Sequence, residues 1–172
     1  MKNQISLKLT FKQDYSSQSF ILSKCNIEAK NLIHTWPSKT IQNNVSCIFG
    51  PAGCGKTHLA NIWANNNKAI FIEKLDENIF YKNSIKKFVL EDLNILENFS
   101  EVDLFHLFNI VKETKCYILL TSNIHPSKIL WKLKDLRSRV NASFCVSIDS
   151  PDEILIKKLM KKLFEDRQLF IS

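Results

Sequence analysis

The segment Gly50-Pro51-Ala52-Gly53-Cys54-Gly55-Lys56-Thr57 has the spacing G-x-x-x-x-G-K-[ST], a pattern suited to gripping a polyphosphate. Backbone N–H groups of residues 52 to 57 can wrap a β-phosphate, and the start of a following helix adds partial positive charge. Lys56 reaches the β- and γ-phosphates, and the Thr57 hydroxyl is placed to hold Mg²⁺. The chain contains three glycines, and all of them are here, at positions 50, 53 and 55. The competing reading is a glycine-rich turn with a chance Lys-Thr pair.

Acids follow at the expected distance. Lys87-Phe88-Val89-Leu90 reads as an apolar strand ending in Glu91-Asp92, about 35 residues beyond the loop. In such a pair the first acid holds Mg²⁺ through water and the second orients or deprotonates an attacking water, so Glu91 takes the metal role and Asp92 the base role. A solvated strand end is the plainer alternative. Cys116-Tyr117-Ile118-Leu119-Leu120 reads as a further strand, tipped by Thr121-Ser122-Asn123. Asn123 there can sense a γ-phosphate by hydrogen bonding, or simply form a turn.

These groups need a scaffold. Val45–Phe49 is a short apolar run suited to a buried parallel strand, and HLANIWANNN after the loop reads as a helix with Leu59, Ile62 and Trp63 on one face. Ala69–Ile72 reads as a second strand. Ser100 is placed to cap a helix from Glu101 to about Glu113, whose apolar face is expected from Val102, Phe105, Leu107, Phe108 and Val111. Pro126 opens a short helix to about Leu136, with Arg137-Ser138-Arg139 after it. Phe144–Ile148 is a fifth strand, and Ser150-Pro151-Asp152-Glu153 starts a last helix toward Phe164, with Lys157, Lys158, Lys161 and Lys162 on its wet side. Alternation of strands and helices predicts an α/β fold with a five-stranded parallel sheet covered on both faces. A strand inserted between the loop strand and the acidic strand predicts the order 5-1-4-3-2.

Composition narrows the function classes. The 172 residues suit one domain, and no apolar run is long enough to span a membrane. The start, MKNQISLKLTF, lacks the features of a secretory signal. The five cysteines contain no C-x-x-C pair and suit a reducing cytoplasm. Net charge is +7, but lysine supplies nearly all of the excess and is spread along the chain, so a dedicated nucleic-acid face is not expected and any DNA contact is indirect.

With these motifs placed, the chain resembles the AAA+ core of the DnaA family, a P-loop NTPase of the additional-strand type. Phe20-Ile21-Leu22-Ser23-Lys24-Cys25-Asn26 is similar to the family segment lining the adenine pocket, which implies Ile21 and Leu22 as base contacts. GPAGCGKTHLA resembles the family's phosphate loop with its trailing His-Leu, placing His58 beside Gly50 to Thr57 at the nucleotide. Leu119–Asn123 is similar to the sensor 1 strand, with Asn123 where Asp is usual. Asp135-Leu136-Arg137-Ser138-Arg139 resembles the RLxSR box, which puts Arg139 on the arginine finger.

Within the family the resemblance is to the Hda-like branch of regulatory inactivators, alphaproteobacterial type. Gln4-Ile5-Ser6-Leu7-Lys8-Leu9 is similar to that branch's sliding-clamp-binding segment. An extended peptide of this kind would hydrogen-bond through Gln4 and fill an apolar cleft with Ile5, Leu7 and Leu9. An edge strand with alternating apolar residues is the other reading. The implied organisation is an N-terminal segment over 1–12 and a nucleotide-binding domain over 13–172, with the helical lid and its sensor 2 arginine not represented. ATP or ADP with Mg²⁺, DnaA, the sliding clamp and homo-oligomers are the implied cofactors and partners.

Two departures bear on activity. Glu91-Asp92 replaces the usual Asp-Asp, which shifts one carboxylate by about a methylene and favours slow intrinsic hydrolysis. The unrepresented lid favours a regulator over an initiator. The rival classes are an ATP-hydrolysing helicase loader or transposition helper, a non-hydrolysing adaptor, and a small-molecule kinase. The kinase fits the phosphate loop alone. Whether the chain is a weak ATPase or an ATPase-activating protein stays open.

Overall fold

The structure, a computed structural model, describes residues 14–38, 41, 43–82, 86–95 and 98–166. Five parallel strands form one sheet: β1 Val45–Phe49, β2 Ile70–Phe71, β3 Lys87–Leu90, β4 Tyr117–Ser122 and β5 Phe144–Ser147. Their order is β2-β3-β4-β1-β5, as the alternation predicts. The central strands read as continuous apolar runs because both sheet faces are covered.

Pleating sends alternate residues to opposite layers. On one face, α1 Ile27–Thr35 and α2 Lys56–Asn67 pack over Ile48, Val89 and Leu119. On the other, α3 Asn78–Lys82, α4 Glu101–Glu113 and α5 Lys134–Asn141 pack over Cys47, Phe88, Leu90, Ile118 and Leu120. The last helix is α6 Glu153–Asp166. Helices on both faces of a parallel sheet leave the C-terminal strand ends as the open edge where ligands bind.

Local signals hold at several ends and shift at others. Ser100 caps α4 through a full capping box with Asp103, as the acids in that turn imply. The face of α4 differs from expectation. Val102 is 54% exposed, while Leu104 and Ile110 are buried, because the sheet contacts a face rotated by about one position. The expected strand 69–72 pairs only at Ile70 and Phe71, an edge position with one neighbour.

The expected helix from Pro126 to Leu136 breaks in two. A 3-10 turn, Pro126–Lys128, is followed by an extended strap, and α5 begins only at Lys134. Arg137 and Arg139 therefore lie within a helix and not after one. At α6 the cap is Asp152 and not Ser150: its Oδ1 accepts from Leu155 N at 2.7 Å, and its C=O accepts from Ile156 N. Pro151 thus precedes the helix. Asn26 precedes α1 without a side-chain cap bond, while at α3 Asp76 Oδ1 accepts from Asn78 N at 3.0 Å and so holds the start of that helix. Among the described residues no helix is long and apolar enough to cross a membrane.

Candidate functional site

The phosphate loop joins β1 to α2 at the open edge, beside the tip of β4. Gly50 N–H donates to Ser122 O at 3.1 Å, which ties the loop's first residue to the neighbouring strand. Gly50 allows no side chain, since a Cβ would stand 2.2 Å from Ile148 O. Gly55 has φ 103°, left-handed backbone that glycine adopts without strain. No side chain caps α2, so its first N–H groups face the loop's concavity with the helix's partial positive charge behind them.

Lys56 is the centre of this cradle. It is 6% exposed, and its Nζ donates to Gly50 O at 2.8 Å, Pro51 O at 3.0 Å and Asn123 Oδ1 at 2.9 Å. All three protons of the ammonium are thus directed, and the side chain is held in one place. The bridge to Asn123 brings together two residues 67 positions apart that the sequence singles out separately.

The acid pair meets the loop across a hollow of about 640 Å³ lined by Thr57, Glu91, Asp92, Asn61, Phe71 and Phe99 among others. Thr57 and Glu91, the expected Mg²⁺ ligands, therefore share one wall system with Asp92. Neither carboxylate of the pair is engaged by a hydrogen bond or ion pair among the described residues, which leaves their oxygens available. Asp92 has φ 52°, and its backbone N–H donates to Thr121 Oγ1 at 2.9 Å, while Leu93 N–H donates to Thr121 O at 2.8 Å. Backbone bonds to β4 hold the acidic turn.

A residue the sequence reading did not single out completes the junction. Asn94 Oδ1 accepts from Asn123 N at 2.7 Å and from Ser122 Oγ at 3.1 Å. Lys56, Asn123, Asn94 and the turn carrying Asp92 are one connected polar unit. Its only sequence signal is an amide side chain two places after an acid pair, too common to be read alone.

The segment 15–26 lies over the loop. The Phe20 ring comes within 3.3 Å of where a Cβ on Gly55 would be, so it is the loop's neighbour there. His58 does not turn its polar atom into the loop: Nε2 is 3.0 Å from Ser16 O and 3.2 Å from Ser19 Oγ, and the ring stands edge-on to Tyr15 and Phe20. Ile21 O accepts from Asn26 Nδ2, Cys25 O accepts from Asp149 N, and Ser23 Oγ donates to Asp152 Oδ2 at 2.6 Å. These bonds pin Ile21 and Leu22 near the turn after β5. The hydrogen bonds from Ser23 and from Leu155 N hold the Asp152 carboxyl below its usual value. Cys54, half-buried in the loop, has its thiol pushed up by burial. Pro51, Ala52 and Gly53 form the rest of the loop; Cys54 N–H donates to Pro51 O at 3.3 Å, and Lys56 with the loop's other N–H groups could hold a polyphosphate.

Arg139 is set apart. It lies in the last turn of α5, half-buried, and among the described residues no hydrogen bond or ion pair engages its guanidinium. The expected clamp-binding residues Gln4, Ile5, Leu7 and Leu9 lie outside the described residues.

No protein-family model matches the chain. In sequence it is similar to chromosomal replication initiator protein DnaA of Buchnera aphidicola subsp. Cinara cedri, 28% identical across 96% of this chain and 44% of that protein. The Francisella tularensis subsp. novicida DnaA is likewise 28% identical, across 98% of this chain and 41% of its own length. The chain thus spans less than half the length of these curated relatives. In fold it is similar to domain III of the Thermotoga maritima replication initiation protein DnaA, with TM-score 0.75, 22% identity, and coverage of 94% of this chain and 78% of that one. The AMPPCP-bound DnaA from Aquifex aeolicus superposes with TM-score 0.70 and 22% identity over 92% of this chain and 57% of that one. The chain is DnaA-like in sequence and has the AAA+ P-loop fold over nearly all of its length.

Proposed function

We propose that the chain is an Hda-like regulator of DNA replication initiation. It holds an adenine nucleotide in its own phosphate loop and promotes hydrolysis of ATP bound to a DnaA protomer by presenting Arg139 to that nucleotide. The observation that carries this reading is the guanidinium of Arg139, carried on a core-packed helix yet without a hydrogen-bond or ion-pair partner among the described residues. A cation aimed at a γ-phosphate stabilises the charge that develops during phosphoryl transfer, and such an arginine is worth about 10³–10⁵ in rate.

The chain's own nucleotide, ADP or ATP, serves mainly to order the loop and its covering segment. The AMPPCP held by the Aquifex aeolicus relative supports an adenine nucleotide here. Mg²⁺ would be held by the Thr57 hydroxyl and Glu91, and it supplies charge neutralisation for the phosphates when bound. Asp92, which lines the same hollow as Thr57 and Glu91, would accept a proton from a water, and a slow intrinsic turnover would accompany the partner-directed role. Gln4, Ile5, Leu7 and Leu9 would attach the chain to the sliding clamp and concentrate it on DNA near its target.

The test compares the wild-type chain with Arg139→Ala in hydrolysis of DnaA-bound ATP, with sliding clamp loaded on DNA. The expected outcome is stimulation by the wild-type chain and loss of at least about 10³-fold of it in the variant. Full stimulation by Arg139→Ala would remove the mechanism.

A further inference from the structure

We propose that Glu101 is the positioning residue for Arg139: from the first turn of α4 it grips the start of the helix that carries the arginine. This rests on the reading of Arg139 given above. Both carboxylate oxygens are used. Oε1 accepts from Lys132 N at 3.1 Å, and Oε2 accepts from Leu133 N at 2.7 Å. α5 begins at the next residue, Lys134, and its N-cap residue Leu133 offers no capping side chain. A helix start is rich in unpaired N–H groups and carries partial positive charge, so an anion supplied there from another helix fits both needs.

The grip is firm because Glu101 is itself fixed. It is the first residue of α4, whose preceding residue Ser100 and third residue Asp103 close a capping box. The two backbone hydrogen bonds hold the Glu101 carboxyl below its usual value, so it is ionised at neutral pH. Further along α5, Leu136 and Val140 enter the core beside residues of α4. Packing therefore sets the depth of the helix, and Glu101 sets where it starts and how it is rotated.

Arg139 lies between the core anchors Leu136 and Val140, and among the described residues no hydrogen bond or ion pair holds it. Its direction is inherited from the backbone of α5. Phosphoryl-transfer groups are intolerant of small displacements, and an error of about 1 Å can cost about 100-fold in rate. The strap before α5 is held along its length too. His125 packs edge-on to Phe49 at the end of β1, and Trp131 Nε1 donates to Pro126 O at 3.4 Å. Glu101 is the one side chain from a separate helix seen to bond this strap's backbone among the described residues.

The experiment uses the full chain with Glu101→Ala and Glu101→Gln. Amide hydrogen exchange at Lys132 and Leu133 and the Arg139 Nε–H resonance are read first, without any partner. Then the maximal rate and half-saturating concentration for stimulated hydrolysis of DnaA-bound ATP are compared. Glu101→Ala should expose both amides, shift or broaden the Arg139 resonance, and lower the maximal rate by about 10- to 100-fold with half-saturation little changed. Glu101→Gln keeps one acceptor oxygen and should recover part of each effect. Unchanged amides and an unchanged Arg139 resonance in Glu101→Ala would overturn the positioning role, whatever the partner is. If instead the amides and resonance move as expected but Arg139→Ala does not alter DnaA hydrolysis, the partner assignment fails while the positioning stands. Should Glu101→Ala not fold, Glu101→Gln alone carries the resonance and exchange readouts.

Discussion

Lys56 and Arg139 are the two cations the motifs mark out, and the fold treats them in opposite ways. Lys56 is nearly sealed from solvent and has three acceptors, two from its own loop and one from the tip of β4. Arg139 rides on a helix anchored by Leu136 and Val140 and has no acceptor at all among the described residues. A buried cation is tolerated only when its protons are satisfied, and the chain's own loop and the tip of β4 satisfy those of Lys56. A half-exposed guanidinium left unpaired keeps its hydrogen-bonding capacity for another molecule. Under the proposed function, the difference is the physical form of a division between holding and acting.

That division can be broken at several points. The largest effect belongs to Lys56→Ala, which should weaken ADP and ATP binding by about 100-fold or more, roughly 3 kcal/mol, in calorimetric titration, because charge-assisted hydrogen bonds to phosphate disappear. Binding of wild-type strength in that variant would show that the loop is not the nucleotide holder. Next is Gly50→Ala. Its Cβ would meet Ile148 O at 2.2 Å, and thermal or urea unfolding should register a loss of about 2–3 kcal/mol as the loop and the turn after β5 are pushed apart.

A third effect sharpens the picture of the covering segment. Asp152 is held below its ordinary 3.8 by Ser23 and by the backbone of α6. A depressed carboxylate contributes stability that is present above its unfolded value and is lost as pH falls through its folded value. Ser23→Ala should raise the Asp152 titration toward 3.8, as read by side-chain carbonyl NMR, and Asp152→Asn should flatten the stability profile below about pH 4. No movement in the Ser23→Ala titration would mean that the segment is not pinned there. The smallest effect is expected at Arg139. Its removal should change unfolding free energy by no more than about 0.5 kcal/mol and leave the chain's own nucleotide affinity intact. A marked loss of either would place Arg139 in this chain's own site and erase the contrast.

Much of the holding half was legible in the sequence, because it is written in contiguous residues. Gly50 to Thr57 specify a loop whose backbone must be bare, and the flanking apolar runs specify buried strands. The order of the sheet followed from the alternation of elements and from one inserted strand. The acting half was legible only as a resemblance, and its local structure was misjudged. Pro126 correctly marks a start, but Ile129 to Leu133 form a strap, so the arginines sit inside a helix whose beginning carries no signal of its own. The missing signal is Glu101, 32 positions before Leu133, and no local rule could couple those two. Asn94 was invisible for the same reason.

By itself, then, the order of amino acids determined what depends on neighbours along the chain: a phosphate loop between a strand and a helix, an acid pair at a strand end, a capped α4, and five apolar runs in parallel. Only the tertiary structure decided which polar groups meet. Lys56 with Asn123, Thr121 with the turn of Asp92, Ser23 with Asp152 and Glu101 with the head of α5 each join residues far apart in sequence. Hydrogen bonds are short and directional, so they exist only where packing has already brought backbone and side chain within about 3 Å. That convergence is a property of the folded sheet and its two layers, and not of any stretch of chain.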